Sequence, residues 1–387
     1  MDIPRLLESQ IEAKLSTDRR VVVLYGPRQS GKTTLARKVL ERSGKRFLEL
    51  SGDDPRTVEV ISSLDSRRLA SLAAGYDVLF IDEAQRIENV GLALNILHDT
   101  AFAGTLFVTG SSSLDLASKT REALTGRTWT FALHPIAFAE LAAAENPFEL
   151  DLRREEALVL GGYPALFSME NREDRVRHLV ELSSAYLYKD ILELAGIRNP
   201  AKLRSLLRLL SYQVGSEVSY QELGRQVGMS ADTVISYIDL LEKTFVLFRL
   251  GGYSRNLRKE VTKKDKIYFV DNGVRNALIE DFKALELRGD AGRLWENFLV
   301  SERRKLNSYR GFYGGSWFWR THSGAEIDYV EEQDGKLSGF EFKSAVKTAK
   351  PPASWTETYP NAEFAAVHPG NYLDFVTGNG KVETRDR

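Results

Sequence analysis

The first third of the chain contains three short apolar runs that each end at a glycine or a polar residue. The runs read VVVLY at 21–25, VLFI at 78–81 and TLFV at 105–108, and the helical pattern TTLARKVLERS follows the first of them. Continuous β-branched and apolar runs without alternation are typical of strands buried on both faces of a parallel sheet. The pattern therefore predicts an α/β fold with a parallel sheet at the N-terminal end.

The stretch 202–250 has a different pattern, which predicts helix, helix, turn, helix and strand. The second helix opens with Ser219 and Glu222 at the spacing of a capping box, Gly228 turns the chain, and Ser230 can cap the third helix. This is the order of a helix-turn-helix with the strand TFVLFRLGGYSRN as a wing, so we expect a winged-helix domain here.

The third of these helices carries an unusual charge for a DNA reader. Its polar positions hold Asp232, Asp239 and Glu242 against Lys243 alone. Because readers of DNA normally present arginine, lysine or asparagine to phosphates and base edges, packing or subunit contact is the better prediction for this helix.

A basic stretch follows the wing and has two possible roles. It can be a local electrostatic footprint for nucleic acid or simply a solvated loop. Its basic residues are Arg255, Arg258, Lys259, Lys263, Lys264 and Lys266.

Apolar and polar residues alternate strictly near the C-terminal end, on both sides of the dipeptide Asp334-Gly335. This dipeptide favours a two-residue hairpin turn. With that turn, Gln333 pairs with Lys336, Asp328 falls opposite Glu341, and Glu326 falls opposite Lys343. Alternation then places these four charged side chains on one face of the hairpin. The apolar side chains predicted for the other face are Ile327, Tyr329, Phe340 and Phe342.

Two carboxylates directly opposite each other destabilise a sheet. A divalent cation between Asp328 and Glu341 would reverse that effect and could activate water for attack on a phosphodiester. The alternative is a solvated charged face in which Glu326 and Lys343 form an ordinary cross-strand pair.

Length and composition limit the class of protein to which this chain can belong. The chain has 387 residues, a net charge of −1 and no cysteine. The length predicts two or three domains, and the absence of cysteine excludes disulfides and thiol catalysis. The amphipathic start and the lack of any apolar run near ~18 residues lead us to expect a cytoplasmic protein without membrane spans. The five histidines show no ligand spacing.

The loop after the first strand contains the most specific functional motif of the sequence. Gly26, Gly31, Lys32 and Thr33 fit the pattern G-x-x-x-x-G-K-[ST], in which backbone N–H groups and a helix N-terminus surround nucleotide phosphates. The lysine is expected to reach the terminal phosphates and the threonine hydroxyl to ligate Mg²⁺. The remaining loop residues predicted to contact the nucleotide are Pro27, Arg28, Gln29, Ser30 and Thr34.

Polar residues at the ends of the next two strands support the same site. Asp82 can hold the water shell of Mg²⁺, and Glu83 can polarise an attacking water. The third strand ends in Thr109, Ser111, Ser112 and Ser113. One of these hydroxyls can sense the terminal phosphate, or Ser111 or Ser113 can merely cap the following helix.

The segments GPRQSGKTTL, LFIDEAQ, FVTGSSS, LTGR, HPIAFAEL and GGYP resemble AAA+ ATPases, and most closely the bacterial and archaeal AAA_14/DUF4143 family. The resemblance implies that Arg127, before the fifth strand, reaches a neighbouring subunit's nucleotide. A salt bridge to Glu122 is the alternative. The family resemblance also implies that Pro164 touches adenine. The GGYP segment, however, carries no arginine for a lid sensor.

The C-terminal segment resembles the PD-(D/E)XK nuclease fold. A helix acid, a strand aspartate and Glu-x-Lys correspond to Glu296, Asp328, Glu341 and Lys343, and Ile327 stands where that pattern usually has proline. The resemblance implies a metal site at Glu296, Asp328 and Glu341, with Asp328, Glu341 and Lys343 in catalytic roles.

Together these features predict three parts: an AAA+-like ATPase domain at 1–165, a winged-helix domain at 166–255 and a nuclease-like α/β domain at 256–387. We expect ATP and Mg²⁺ as ligands of the first part, with Mg²⁺ or Mn²⁺ at the last. ATP hydrolysis would control a DNA-acting C-terminal domain in a homo-oligomer. The alternative is a nucleotide-switched interaction protein with an inactive nuclease-like platform.

Overall fold

The computed structural model describes residues 3–17, 19–111, 124–195, 199–254 and 265–378. The chain separates into two compact units, which are considered one at a time below. The first unit contains 1–136, 163–165 and 243–245, and the second contains 137–162, 166–242 and 246–387. The predicted division into three domains stays a prediction.

A five-stranded parallel sheet forms the centre of the first unit, with strand order β2-β3-β4-β1-β5. The N-terminal α/β fold predicted from the apolar runs is thereby confirmed. The helices are α1 (Leu7–Thr17), α2 (Lys32–Arg42), α3 (Pro55–Ser62), α4 (Ser66–Ala73) and α5 (Val90–Ile96). The strands are β1 (Val21–Tyr25), β2 (Phe47–Ser51), β3 (Val78–Asp82), β4 (Thr105–Gly110) and β5 (Thr128–Ala132).

Burial follows the position of each strand in this sheet. The three inner strands β1, β3 and β4 are almost fully buried, whereas the edge strands β2 and β5 are half-buried. Since both faces of an inner parallel strand are covered, these strands contain few polar positions. All five strands run in the same direction, so the polar residues that follow β1, β3 and β4 come together at one edge of the sheet.

The second unit is mainly helical before its C-terminal sheet. Its helices are α6 (Phe138–Leu141), α7 (Pro147–Leu160), α8 (Arg172–Ala195), α9 (Pro200–Tyr212), α10 (Tyr220–Val227), α11 (Ala231–Lys243), α12 (Asn272–Leu278), α13 (Ala291–Arg310), α14 (Ala353–Thr358) and α15 (Tyr372–Thr377). Its strands are β6 (Leu247–Leu250), β7 (Lys266–Phe269), β8 (Gly315–Arg320), β9 (Glu326–Gln333), β10 (Lys336–Phe342) and β11 (Glu363–Val367).

The caps predicted for the middle helices are present. Ser219 accepts a hydrogen bond from the backbone N–H of Glu222 at the start of α10, and Ser230 accepts one from Thr233 at the start of α11. Gly228 ends α10 with a φ of 64°, a left-handed conformation that glycine adopts without a steric penalty. The chain therefore has the helices and the turn at the predicted positions, and the assignment as a winged helix stays a prediction.

The C-terminal sheet has the order β11-β10-β9-β8. The predicted hairpin joins β9 to β10: Gln333 pairs with Lys336, and the turn residues Asp334 and Gly335 have φ values of 51° and 78°. Two positive φ values are the requirement of the tight turns that match strand twist, so the hairpin register predicted from Asp334-Gly335 is confirmed.

One part of that prediction is wrong, because β9 is not regular. Trp317 pairs with Val330 but Trp319 pairs with Ile327, so β9 has one more residue than β8 in this interval. An extra residue shifts the alternation of the strand by one position. Ile327 consequently packs with Val330 and Trp355, whereas Tyr329 packs against the rings that include Phe340 and Phe342.

Within the described ranges, no helix is long and apolar enough to cross a lipid bilayer.

Candidate functional site

The loop between β1 and α2 has the shape that its glycines predict. A Cβ atom on Gly26 would lie 2.1 Å from the backbone oxygen of Leu133, so this position accepts glycine only. Gly31 has a φ of 93° at the start of α2. These two residues turn the loop so that backbone N–H groups and the N-terminus of α2 face the same space.

Two side chains of the loop also fit a phosphate group. Lys32 is buried, and its ammonium donates to the backbone oxygens of Gly26 and Pro27 at 3.0 and 2.8 Å. Ser30 is fully buried, yet its hydroxyl has no hydrogen-bond partner among the residues that the structure describes. A buried hydroxyl and a buried ammonium on one glycine loop are suited to an anionic ligand.

Arg5, which the sequence analysis missed, braces this loop. Its guanidinium donates to the backbone oxygen of Ser30 at 2.8 Å and to that of His134 at 2.6 Å. Nothing in the sequence pattern marks Arg5, because it lies 25 residues before the serine whose carbonyl it binds.

Thr33 and Asp82 meet at the edge of the sheet, as predicted. The threonine hydroxyl lies 3.1 and 2.9 Å from the two carboxylate oxygens of Asp82. The buried hydroxyl of Thr109, at the end of β4, donates to the same carboxylate. A hydroxyl and a carboxylate in contact are hard oxygen ligands of the type that Mg²⁺ prefers, so these residues fit the expected ion.

Glu83, the predicted water-polarising residue, lies directly after β3 in a left-handed conformation with a φ of 49°. Its backbone N–H donates to the hydroxyl of Thr109 at 3.3 Å, and its carboxylate accepts from the side-chain amide of Gln85. The same amide nitrogen lies 3.0 Å from the hydroxyl of Ser111. Ser111 therefore bonds to Gln85, while Ser112 and Ser113 lie outside the described residues.

Arg127 and Pro164 both belong to the first unit. The Arg127 guanidinium donates to Asn95 at 2.6 Å and to Asp99 at 2.7 Å, and its side chain is about half exposed. Glu122, the partner considered in the sequence analysis, lies outside the described residues. Pro164 lies beside the phosphate loop, since its Cγ is 4.0 Å from the position of a Cβ on Gly31.

The predicted C-terminal site also brings charged residues together. The C-terminal acidic cluster consists of Glu296, Glu326, Asp328 and Glu341, with Lys266, Tyr268 and Lys343 among them. The Lys266 ammonium lies 2.5 Å from Glu326 and 3.5 Å from Glu296, and the Tyr268 hydroxyl donates to Glu296 at 2.6 Å. Lys266 and Tyr268 are buried and were not predicted to belong to this site.

These charges are not arranged as the hairpin register alone predicts. Glu326 was predicted to fall opposite Lys343, and their pairing was the alternative to a metal site, but Glu326 binds Lys266, whereas Lys343 binds Glu341 at 2.9 Å. Lys266 was placed in a basic stretch that was either a nucleic-acid footprint or a solvated loop, and neither applies to this residue, because it is the first residue of the buried strand β7. Lys266 of β7 is buried and pairs with Glu326, so it is not a solvated residue. The other basic residues of that stretch, 255–264, lie outside the described part of the chain.

Asp328 sits at the irregular position of β9, where it accepts a hydrogen bond from the backbone N–H of Phe342 at 2.7 Å. Burial raises the pKa of Asp328 to about 7, with further contributions from the negative charges of Glu296 and Glu341. Burial likewise raises the pKa of Glu296, against the opposing effect of Lys266. The cluster is thus short of positive charge around Asp328.

The carboxylates do not form a ready-made metal cage. Among the described residues, no three histidine, cysteine, aspartate or glutamate side chains converge so that they could hold a metal ion. Lys266 and Tyr268 bond to Glu296, the helix acid that was expected to join Asp328 and Glu341 as a ligand. The residues of the C-terminal acidic cluster therefore do not fit the predicted three-carboxylate site.

The acidic residues of α11 turn out to have a structural use. Arg249 of β6 donates to Glu242 at 2.8 Å and to Asp239 at 2.5 Å. Asp239 and Glu242 thus join the helix to the strand, and Asp232 and Lys243 are exposed. This supports packing, rather than DNA reading, as the role of the Asp239–Glu242 side of α11.

Family models match separate stretches of this chain. Residues 18–142 match the AAA domain, and residues 291–379 match a domain of unknown function, DUF4143. Residues 152–285 match a further domain of unknown function, DUF8612. The chain is 30% identical over 358 residues to the uncharacterized protein Rv2008c of Mycobacterium tuberculosis, covering 91% of this chain and 77% of that protein.

The chain belongs to the AAA_14/DUF4143 family. The resemblance to this family seen in the sequence is thereby confirmed, whereas the resemblance of the C-terminal segment to the PD-(D/E)XK nuclease fold stays a prediction. Another relative of the AAA_14/DUF4143 protein is the uncharacterized protein MJ1544 of Methanocaldococcus jannaschii, which is 23% identical and covers 84% of this chain and 75% of that protein. Among solved structures, the Walker-type ATPase PABY2304 of Pyrococcus abyssi is similar, with 13% identity, a TM-score of 0.48 and coverage of 72% of this chain and 96% of that one.

Proposed function

We propose that this AAA_14/DUF4143 protein binds and hydrolyses ATP in its first unit. The observation that carries the proposal is the meeting of the phosphate loop with Thr33, Asp82 and Glu83 at one edge of the parallel sheet. The AAA domain matched at residues 18–142 supports the same activity.

Each residue has a role that follows from its position. The loop N–H groups and Lys32 bind the phosphates, and Thr33 and Asp82 would hold Mg²⁺. When bound, Mg²⁺ neutralises charge on the phosphate oxygens. Glu83 accepts a hydrogen bond from water and so orients it for attack on the terminal phosphate, because its carboxylate follows directly after Asp82.

Two variants test this proposal. Lys32→Ala is expected to weaken ATP binding, since it removes the charge that pairs with the terminal phosphates. Glu83→Gln is expected to bind ATP with unchanged affinity but to release phosphate far more slowly, because an amide cannot accept the water's proton.

The control is Glu88→Gln, the same chemical change at an exposed position five residues further along the chain. Phosphate release is measured alongside binding of a fluorescent ATP analogue. Equal turnover by the unaltered protein and Glu83→Gln would remove Glu83 from the mechanism.

We further propose that the nucleotide state of the first unit controls the second unit, with DNA as its substrate. Support comes from the C-terminal acidic cluster, where Asp328 and Glu341 lie near each other and Lys343 bonds to Glu341. Mg²⁺ is often held in proteins by only one or two carboxylates together with substrate phosphates, so two carboxylates would suffice when nucleic acid is bound. Lys343 could then neutralise charge on a phosphate.

A second candidate function is that of a nucleotide-switched interaction protein with a non-cleaving C-terminal unit. Lys266 favours it, because this buried ammonium already pairs with Glu296 and Glu326, which leaves fewer carboxylates available to a metal ion. The pairing of Asp239 and Glu242 with Arg249 favours it too, since it leaves this side of α11 without groups that read DNA.

ATP turnover with and without DNA distinguishes the two functions. Control of a DNA-acting unit predicts that single-stranded, duplex or branched DNA changes the rate of phosphate release severalfold. It also predicts cleavage that needs Mg²⁺ or Mn²⁺ and is lost in Asp328→Asn. An unchanged ATPase rate and intact DNA under every condition would leave the interaction protein as the function.

A further inference from the structure

We propose that Gln85 is a positioning residue for ATP hydrolysis, which holds the Glu83 carboxylate in place and joins it to Ser111 at the end of β4. The inference rests on the proposed ATPase function, and it names a residue that acts on Glu83 rather than on the nucleotide. Gln85 lies in the one-turn helix Ala84–Arg86 that follows β3.

The contacts of the side-chain amide carry this proposal. The nitrogen Nε2 of Gln85 donates to Oε2 of Glu83 and lies 3.0 Å from the hydroxyl of Ser111. The opposite orientation of the amide would place its oxygen against the Glu83 carboxylate, where two acceptors repel each other. The orientation with nitrogen toward Glu83 is therefore fixed by its chemistry.

Gln85 bonds directly to this carboxylate. Among the residues that the structure describes, no other donor bonds to the carboxylate oxygens of Glu83. The Gln85 side chain is buried, with 9% of its surface exposed, so it has one arrangement rather than many. A hydrogen bond from a fixed donor reduces the rotamers that Glu83 can adopt.

The amide oxygen of Gln85 gives a second, independent sign of function. It is buried and has no hydrogen-bond partner among the described residues. An unpaired buried acceptor is costly and is usually retained for a ligand or a water molecule. An acceptor on the residue that holds the Glu83 carboxylate is suited to binding the N–H or O–H group of a small ligand such as water.

The backbone of Glu83 is built for the same purpose. Its φ of 49° is uncommon for a residue with a side chain, and its carbonyl oxygen lies only 2.3 Å from the position of a Cβ on Gly52. Glycine at 52 therefore permits this conformation. The backbone conformation fixes the Cα–Cβ direction of Glu83, and the hydrogen bond from Gln85 fixes the position of its carboxylate. The Glu83 side chain is therefore held at both of its ends.

Ser111 gives this arrangement a link to the neighbouring strand. Its hydroxyl follows β4, whose Thr109 binds both Asp82 and the backbone N–H of Glu83. Thr109 of β4 therefore contacts Asp82 and the backbone of Glu83, and Ser111, directly after β4, reaches the Glu83 carboxylate through Gln85. A shift of the end of β4 on nucleotide binding would reach both acidic residues at once.

Gln85→Met tests the proposal, because methionine keeps the volume of the side chain and removes both hydrogen-bonding groups. The expected result is a fall in kcat of about ten- to hundred-fold, the effect of losing a hydrogen bond to a charged group. The dissociation constant for the fluorescent ATP analogue should change less than about twofold, since Gln85 does not bind the phosphates.

A matched control is Gln226→Met. Gln226 also donates to a glutamate, Glu222, at 3.4 Å, but this pair is exposed on α10 in the second unit. Its kcat should equal that of the unaltered protein. In the Glu83→Gln background, Gln85→Met should have no further effect, because a residue that acts through Glu83 has nothing left to position.

A measurement without ATP tests the contact itself. Gln85→Met and Ser111→Ala should shift the midpoint of urea unfolding non-additively, because they remove the same hydrogen bond. Gln85→Asn, which keeps the amide but is shorter, serves if Gln85→Met fails to fold, and it should also lower kcat.

Unchanged kcat in Gln85→Met and Gln85→Asn would overturn the inference while leaving ATP hydrolysis intact. So would a fall in kcat that persists in the Glu83→Gln background. Absence of phosphate release by the unaltered protein would instead overturn the proposed function, and this inference with it.

Discussion

Replacing Asp328 with asparagine is expected to stabilise the second unit at neutral and alkaline pH when no divalent metal is present. The Asp328 carboxylate is held near the carboxylates of Glu296 and Glu341, and Lys266 only partly offsets them. Asparagine is neutral and of the same size, and its amide oxygen can still accept the hydrogen bond from the N–H of Phe342. The change therefore removes charge repulsion while retaining the geometry.

The pKa of Asp328 gives the size of the effect. Burial and the neighbouring carboxylates raise this pKa from an ordinary value of 3.8 to about 7. Because the folded state holds the proton more tightly than the unfolded state, the contribution of Asp328 to stability is fully present below pH 3.8 and is lost as the pH rises through about 7. The full difference corresponds to about 4 kcal/mol at pH 8 and above, and relaxation of the cluster reduces it to about 2 kcal/mol or more.

Urea unfolding of the full-length chain in EDTA measures this difference. Four of the five tryptophans, 295, 317, 319 and 355, belong to the second unit, so tryptophan fluorescence reports mainly on it. Asp328→Asn should be more stable than the unaltered protein by about 2–4 kcal/mol at pH 8, and the difference should shrink toward pH 4.5. With a non-cleavable oligonucleotide bound, whose phosphates would complete the ligand set, Mg²⁺ or Mn²⁺ should raise the melting temperature of the unaltered protein but not of Asp328→Asn.

Two results would refute the reasoning about this cluster. Superimposable pH profiles of the two proteins would mean that the charge of Asp328 costs nothing in the folded state. A melting temperature that millimolar metal leaves unchanged when the oligonucleotide is present would mean that Asp328 and Glu341 do not hold a cation, and the second candidate function would gain support. Asp374→Asn, at a carboxylate of α15 outside the C-terminal acidic cluster, is the control.

Further predictions concern single residues. Mixing Arg127→Ala with Lys32→Ala chains should restore part of the ATPase activity if the arginine serves a neighbouring copy, since an arginine supplied in trans contributes on the order of 10³ in rate. No rescue in verified mixed oligomers would assign Arg127 to its bonds with Asn95 and Asp99. Lys343→Ala should leave metal-dependent stabilisation largely intact but abolish DNA cleavage, because the Lys343 ammonium is expected to act on the phosphate. Unchanged DNA cleavage by this variant would exclude that role for Lys343.

The parts of the fold that the sequence predicted are those set by local signals. The apolar runs at β1, β3 and β4 have no polar interruptions because they are buried on both faces, and the pattern therefore indicated a parallel sheet. Asp334 and Gly335 fixed the hairpin register because they adopt the positive φ values that few other residue pairs favour. Ser219 and Ser230 marked helix starts for a similar local reason, their side-chain oxygens.

The missed features depend on contacts between distant parts of the chain. Lys266 lies 30 residues before Glu296, and its burial beneath Glu326 could not be read from a basic stretch that looked solvated. No glycine or proline in β9 marks the position of its extra residue. Strict alternation therefore assigned Ile327 to the wrong face of the hairpin. In each case tertiary packing decided the outcome.

The phosphate site contains both kinds of residue, those that the sequence predicted and those that it did not. Gly26, Gly31, Lys32 and Thr33 form a recognisable spacing, because each is needed within a few ångströms of the same ligand. Arg5, which braces the loop, has no such spacing, since a guanidinium can reach a carbonyl from any nearby segment. Residues that support a site are therefore harder to predict than residues that touch its ligand.

Hydrogen–deuterium exchange of the full-length chain tests most directly the central claim that the nucleotide state of the first unit controls the second. The Glu83→Gln protein is expected to hold ATP without hydrolysing it, and Lys32→Ala is the matched control that should not bind it. The account predicts that ATP and Mg²⁺ change the exchange of peptides from 291–378 in Glu83→Gln and not in Lys32→Ala. Protection of the phosphate loop with no change in 291–378 would contradict it.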